Sequence, residues 1–138
     1  MATVRAAGSI PARRTKLNRR SEMTQIPTTV YVVQENPRIN YTPAEKFGIV
    51  RFLTADEYSP SQHSIRNKSI LEDIIRGLAN FDPDRDYIIL SGNPIIMSFA
   101  FSLVLQRKGY VKALWYQSID RDYVEVSFNP RVVLDLAD

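Results

Sequence analysis

The sequence predicts an α/β domain with a mixed sheet of about five strands and two helices, in the order β-β-α-β-α-β-β. Three observations support this fold class. Short β-branched and aromatic runs alternate with two segments of helical periodicity. Residues 87–91 form a continuous apolar run between turn residues, as in a strand buried on both faces. Residues 111–117 and 123–128 are strand-like runs joined by a short polar turn, which predicts an antiparallel hairpin.

The first part of the domain supplies two strands. Residues 28–33 are β-branched or aromatic and are followed by Asn36-Pro37, which predicts the first strand and its end. A loop containing prolines comes next. Residues 47–53 form the second predicted strand, and Gly48 within it indicates a bulge or a close contact.

The two helices follow from periodicity and capping. Apolar residues recur at helical spacing over residues 67–80, and Pro83 prevents the helix from continuing. For the second helix we expect Asn93 as N-cap, Pro94 in the first turn and Gly109 as the left-handed stop. This second helix is apolar on nearly all sides. It is therefore expected to be covered both by the sheet and by something else, such as a partner.

Two further elements complete the predicted topology. Residues 87–116 form a β-α-β unit, which is expected to be parallel and right-handed. Residues 131–136 are expected to add a strand at the edge of the sheet.

The charge of the chain is concentrated at its beginning. The 138 residues carry a formal net charge of +3, but the first 22 contain six basic residues and one acidic residue. The remainder, with 12 basic and 14 acidic residues, is formally −2. The first residues also lack periodicity and have few large apolar side chains. We predict a disordered basic tail over residues 1–25 and a single α/β domain over residues 26–138.

The basic tail has three interpretations. As a functional arm it would bind nucleic-acid phosphates, with an affinity that falls as salt rises. As a solvated leader it would have no partner. As an upstream extension it would have no selected function. Arg-Arg at positions 19–20 can be encoded by AGG-AGG, which is the sequence of a ribosome-binding site, and Met23 would then be the natural start. The candidate phosphate-binding residues are Arg13, Arg14, Lys16, Arg19 and Arg20.

Composition excludes several kinds of chemistry. With no cysteine, the chain has no disulfide, thiolate metal site or cysteine nucleophile, which fits a reducing compartment. Its single histidine, His63, removes any site that needs two imidazoles, and no nucleophile is identifiable for it as a general base. Asp82, Asp84 and Asp86 alternate as in a calcium loop, but the glycine and glutamate of that loop are missing, so a solvated turn is expected.

We therefore predict no catalytic residue, no metal and no cofactor. The longest apolar stretch, residues 95–105, is shorter than the roughly 20 residues of a membrane-spanning helix. No secretory apolar segment is present near the beginning. A cytoplasmic protein with no membrane partner is expected.

One candidate ligand site lies at the junction between the third strand and the second helix. Ser91, Gly92 and Asn93 occupy this junction, where α/β sheets place ligands and where helix amides attract anions. The glycine pattern of a dinucleotide or phosphate loop is missing, and Pro94 removes one amide. A small nucleotide- or phosphate-binding domain is thus one alternative function.

A candidate partner-binding site lies on the hairpin. Trp115, Tyr116 and Tyr123 cluster there, and strand alternation places Trp115 and Tyr116 on opposite faces. One face is expected to belong to the core. The other is left open or covered by a partner.

Residues 81–94, the apolar helix after them and residues 112–115 resemble small accessory proteins of tailed bacteriophages. In those proteins an acidic and aromatic entry precedes an apolar strand, a Ser/Val-Gly-Asp/Asn-Pro turn and a helix. The likeness extends over residues 31–128. It implies a viral accessory protein and supplies no catalytic residue.

The leading prediction is a non-enzymatic accessory protein of phage type, acting in the host cytoplasm. It would bind a viral or host protein through the aromatic hairpin face or the apolar second helix. The alternatives are a nucleic-acid-binding accessory protein that uses the basic tail, and the nucleotide or phosphate binder described above. A homo-oligomer is left open.

Overall fold

The computed structural model describes residues 26–61 and 64–132, and it confirms the predicted class and order of elements. A short 3-10 helix lies between the first two strands. The elements are β1 Thr29–Gln34, the 3-10 helix Thr42–Lys46, β2 Ile49–Thr54, α1 Ile65–Gly77, β3 Tyr87–Ile89, α2 Pro94–Lys108, β4 Val111–Gln117 and β5 Asp122–Phe128.

The five strands form one mixed sheet in the order β2-β1-β3-β4-β5. β1 to β4 are parallel, and β5 pairs antiparallel with β4, as expected for the hairpin. From β1 the chain steps outward to β2, then crosses back to β3 and continues in the opposite direction. Connections of the same hand that step in opposite directions lie on opposite faces of a sheet. The two helices therefore share one face, and the 3-10 helix lies on the other.

The core consequently has two parts, one on each face of the sheet. On the helical face, Tyr31 and Val33 of β1 pack with apolar side chains of both helices, such as Ile74 and Ala100. On the opposite face, other side chains of β1 and β3 pack under the 3-10 helix and join the hairpin at Tyr123. All six residues of β1 are buried, as an inner strand requires.

The second helix begins and ends where its caps predict. The Asn93 side chain accepts a hydrogen bond from the Ile95 amide at 2.7 Å, and Pro94 occupies the first turn. Gly109 ends the helix with φ of 80°, in the left-handed region.

The first helix differs from its predicted bounds at both ends. It begins at Ile65 because the Ser64 hydroxyl accepts from the Asn67 amide at 3.3 Å, a cap that the apolar periodicity does not reveal. It ends at Gly77, three residues before the expected limit. Arg107 of α2 donates to the carbonyls of Leu78 and Phe81, at 2.7 and 2.6 Å, so the backbone just after the helix finds its partners in the neighbouring helix.

Two strand predictions need correction. The third strand ends at Ile89 instead of residue 91, because the Ser91 hydroxyl bonds to the Gln34 carbonyl and Gly92 turns the chain with φ of 104°. The prediction of an edge strand over residues 131–136 is wrong for residues 131 and 132, which the structure describes. Residues 130–132 form a helical turn, since Pro130 lacks the amide of a strand and suits a first helical turn. Residues 133–136 lie outside the described part.

The acidic turn before β3 is only partly solvated, which corrects another expectation. Asp82 and Asp84 are exposed enough to fit it, but Asp86 is fully buried. Its carboxylate accepts from the amides of Thr29 and Asp82, at 3.0 and 2.9 Å, and from the Arg85 guanidinium at 2.8 to 2.9 Å. Asp86 is thus a structural anchor at the amino ends of β1 and β3. Across the described residues, each helix is too short or too polar to cross a membrane.

Candidate functional site

A cleft of about 500 Å³ opens at the carboxyl ends of β1, β2 and β3. It lies where the direction of strand progression reverses between β1 and β3, the position at which open α/β sheets bind ligands. Of the three predicted ligand-binding residues, Gly92 and Asn93 line the cleft, and Ser91 is buried beside it. The other lining residues come from loops after β1 and β2: Gln34, Glu35, Asn36, Pro37, Ala55, Glu57 and Tyr58.

The buried side chain of Gln34 organises this cleft. Its oxygen Oε1 accepts from the Asn93 amide at 2.7 Å, and its nitrogen Nε2 donates to the Asp56 carbonyl at 2.6 Å. The side chain passes so close to Gly92 that a Cβ there would lie 2.1 Å from Oε1. Glycine is therefore required at position 92 both for its positive φ and for this contact.

A chain of hydrogen bonds supports the wall of the cleft. The Asn36 amide donates to the Tyr41 hydroxyl at 3.0 Å, and that hydroxyl donates to Ser91 Oγ at 3.3 Å. Ser91 in turn donates to the Gln34 carbonyl at 2.6 Å. Ser91 thus joins the ends of β1 and β3, and its hydroxyl is used within the protein.

The electrostatics of the cleft do not favour a phosphate. The Asn93 amide is bonded to Gln34, the Ile95 amide to the Asn93 side chain, and Pro94 has no amide hydrogen. Glu35 and Glu57 add two carboxylates to the lining. Ligand binding by Ser91, Gly92 and Asn93 stays a prediction, and a phosphate there would have to displace Gln34 and approach both carboxylates.

A second site lies on the hairpin, where the structure separates the three predicted aromatic residues. Trp115 is 64% exposed and projects from the helical face of the sheet. Tyr116 is 38% exposed on the opposite face, where its ring lies 5.2 Å from that of Tyr123. Tyr123 is buried, and burial, followed by the nearby Tyr41 and Tyr116, raises its pKa to about 12. On the opposite face Tyr123 belongs to the core and Tyr116 is partly exposed, whereas Trp115 on the helical face is the most exposed of the three.

The open face is apolar throughout. Strand pairing places Trp115 opposite Val124, Ala113 opposite Val126 and Val111 opposite Phe128. Of these six side chains, Trp115, Val124 and Phe128 are 64, 43 and 41% exposed. The charged residues at the centre of the two strands, Lys112 and Glu125, alternate to the other side. We call Trp115, Val124, Val126 and Phe128 the open face.

The flank of α2 borders the open face. The rings of Phe101 and Phe128 meet edge to face, with their centroids 5.4 Å apart. Beside them is a hollow of about 330 Å³, and its lining is apolar except for one serine. The lining residues are Leu90, Pro94, Met97, Ser98 and Phe101.

The hollow and Trp115 lie side by side. Ile88 pairs with Ala113, so Leu90 and Trp115, two residues further along, reach the same level of the helical face. The open face exists because β4 returns through a hairpin. A parallel crossover at that point would have placed another helix beside α2.

Charged residues at the amino edge of the sheet form a separate surface network. Asp84 accepts from Lys108 and, at 2.5 Å, from the Tyr110 hydroxyl. These two hydrogen bonds hold the pKa of Asp84 below its usual value. The hydrogen bond to Asp84 in turn raises the pKa of Lys108. The network ties the loop before β3 to the end of α2. Within residues 26–61 and 64–132, no group of three or more His, Cys, Asp or Glu side chains is placed to hold a metal ion.

Several predicted residues lie outside the described part of the chain: Arg13, Arg14, Lys16, Arg19, Arg20 and His63. Sequence reasoning in turn missed part of each site. The apolar alternation of Val124, Val126 and Phe128 is a readable signal for the open face. The convergence of Gln34 and Glu57 on the cleft has no such signal, because it depends on how three separate loops meet.

The family described as Phage Pam3 gp32-like protein matches residues 28–130 of the chain. That span begins one residue before β1 and ends two residues after β5, so it includes every strand and both α-helices. No curated protein matches the chain, and no solved structure matches it.

Proposed function

The chain belongs to the phage Pam3 gp32-like protein family and is a phage accessory protein; we propose that it acts without catalysis, by binding a protein through the open face. The family match confirms the resemblance to phage accessory proteins and includes its whole span, residues 31–128. The partner is a viral or host protein. The cysteine-free sequence fits a reducing compartment, and we propose the host cytoplasm as the place of action.

The exposed Trp115 on an uncharged apolar face is the observation that carries this proposal. Single exposed apolar side chains are common on protein surfaces and need no explanation. A contiguous apolar patch is different, since soluble monomers rarely keep a large one and such patches mark interaction sites. Trp115 lies opposite Val124 on the neighbouring strand, and Phe128 lies further along the same face. Val124 and Phe128 are exposed to about the same degree as each other. Tryptophan is also among the residues that contribute most to binding energy at protein interfaces.

Site-specific crosslinking tests the proposal. A photoreactive amino acid is placed at position 115 and, in a separate variant, at position 65, during phage infection. Ile65 is the matched control because it is apolar and 86% exposed on α1, away from the open face. We expect crosslinks to protein from position 115 well above those from position 65. Equal crosslinking from the two positions would overturn the proposal.

The basic tail supports a second candidate function, binding of nucleic acid. Its net charge of +5 stands against −2 for the rest of the chain, so any phosphate contact would come mainly from the tail. Removal of residues 1–22 is then expected to abolish salt-dependent DNA or RNA binding. Binding that survives this removal, or a full chain that binds neither, rejects this candidate.

A further inference from the structure

We propose that the protein bound at the open face is a second copy of this chain, related by a two-fold axis, with Trp115 of each copy seated in the apolar hollow of the other. This inference rests on the proposed function, because it names the partner of the same surface. Three features of the face support it: a projecting side chain beside a hollow, the absence of charge on its four side chains, and the apolar area.

The face carries both halves of a self-complementary contact. Trp115 projects from it, and the hollow of about 330 Å³ lies beside it on the same surface. In a two-fold contact both copies use the same patch. If Trp115 of one copy enters the hollow of the other, Trp115 of the second copy therefore enters the hollow of the first. By volume, the hollow falls at the lower end of the range of pockets that hold small ligands, about 300 to 1,000 Å³.

The charge of the open face is compatible with a second copy. None of the four side chains of the open face, Trp115, Val124, Val126 and Phe128, is charged, and Asp122 at the start of β5 is paired with Lys46, so two copies pack there without like-charge repulsion. The serines of the adjoining helix do not oppose burial either. Ser98 donates to the Pro94 carbonyl at 2.8 Å and Ser102 to that of Phe99 at 2.9 Å, so both hydroxyl donors are used within α2.

The area of the patch is that of an interface centre. The exposed fractions of the open face and the hollow correspond to an apolar patch on the order of 500 Å². A standard interface buries about 800 Å² on each partner, with an apolar centre and a polar rim. The patch therefore covers more than half of what a stable dimer needs, and the residues around it supply the rim.

The test uses the full chain and its only tryptophan, Trp115, as a built-in reporter. Sedimentation equilibrium gives the mass over a range of protein concentrations, and fluorescence gives the environment of the indole in the same samples. We expect the mass to rise from monomer to dimer with concentration. In parallel, the emission should move to shorter wavelength and the indole should become shielded from an aqueous quencher.

Three variants make the test specific. Trp115→Glu is expected to weaken dimerisation by about 30-fold or more, the loss typical of a central interface tryptophan. Ile65→Glu, which places the same charge on an even more exposed apolar site, is expected to leave it unchanged. Ser98→Tyr fills the hollow and adds apolar surface. It should also weaken dimerisation, whereas non-specific association would increase.

Each contrary outcome identifies another occupant or none. A full chain that stays monomeric with an exposed indole overturns the second copy. A monomer whose indole is shielded overturns it too, because Trp115 would then be covered by another part of the same chain, for which residues 133–138 are one candidate. A dimer that persists in Trp115→Glu overturns it as well. Crosslinks from position 115 to a different protein, with a monomer in solution, reject the second copy but leave the proposed function intact.

Discussion

Asp86 shows how a single buried carboxylate sets the start of the sheet. It accepts hydrogen bonds from the Thr29 amide at the start of β1 and from the Asp82 amide in the turn before β3, and it pairs with the Arg85 guanidinium. A buried charge is tolerated only when it is paired and fully hydrogen-bonded, and Asp86 meets both conditions. Asp86 therefore aligns the amino ends of the parallel strands β1 and β3, independently of the packing of the core side chains.

Replacing Asp86 by Asn is expected to lower the free energy of unfolding by about 2 to 3 kcal/mol. The amide keeps one acceptor oxygen. Its NH2 group, however, faces donors from which the second carboxylate oxygen of Asp86 accepts hydrogen bonds in the wild-type protein. Urea unfolding measures the loss. The matched control is Asp73→Asn, which removes an exposed ion pair with Arg76 and should cost less than about 1 kcal/mol. Equal losses in the two variants would contradict the anchoring role.

Two glycines allow backbone strain to be separated from steric overlap. Gly92 and Gly109 both have positive φ, at 104° and 80°. A Cβ at position 92 would lie 2.1 Å from Gln34 Oε1, whereas at position 109 nothing lies within 4 Å. Gly109→Ala is expected to cost about 1 kcal/mol from strain alone. Gly92→Ala should cost about 1 to 3 kcal/mol more, because it also pushes Gln34 away from the Asn93 amide.

Thermal and urea unfolding of the two glycine variants tests this difference. The amide resonance of Asn93 provides a second measurement, since it should shift in Gly92→Ala and not in Gly109→Ala. If both variants lose the same stability, Gln34 is not held against the turn as the structure describes.

At the scale of elements, the bounds of each helix follow the groups that satisfy its ends. Both caps of α2 are written in the local sequence, as Asn93-Pro94 and Gly109, and the structure agrees with them. α1 departs from expectation because the carbonyls just after it, those of Leu78 and Phe81, accept hydrogen bonds from Arg107, which lies 26 to 29 residues later in the chain. A local pattern contains no information about such a distant donor.

Replacing Arg107 by Met is expected to destabilise the domain by about 1.5 to 3 kcal/mol. Methionine retains much of the apolar stem of arginine but leaves the carbonyls of Leu78 and Phe81 without their donor. Hydrogen exchange should show faster exchange at the end of α1 than elsewhere. Arg76→Met removes an exposed arginine from α1 itself and serves as the control, with a change below about 1 kcal/mol.

The edge strand and the open face mark the limit of prediction at this scale. The Val-Val run at 132–133 favours a strand by composition, but Pro130 begins a helical turn at residues 130–132. Strand alternation predicts that Trp115 and Tyr116 lie on opposite faces. Which of the two is covered depends on where α2 and the 3-10 helix come to lie, and that follows from the path of the whole chain.

At the scale of the whole molecule, two features of the topology position both candidate sites. The reversal between β1 and β3 brings the ends of three strands together at the cleft. The final hairpin, in place of another crossover, leaves the open face beside α2. The alternation of strands and helices made the fold class predictable from sequence. The contents of the cleft were not, because Gln34, Glu57 and Asn93 are brought together only by the folded sheet.

Dimerisation through the open face predicts a stability that depends on protein concentration. A partner that binds only the folded state stabilises it by mass action, so the midpoint of thermal unfolding should rise with concentration. Scanning calorimetry at several concentrations measures this rise, which should be lost in Trp115→Glu and kept in Ile65→Glu. Because Trp115 is largely exposed in the single chain, its replacement should leave the midpoint nearly unchanged at the lowest concentration. A large loss there would show that Trp115 stabilises the monomer itself, and the open face would then be part of the fold.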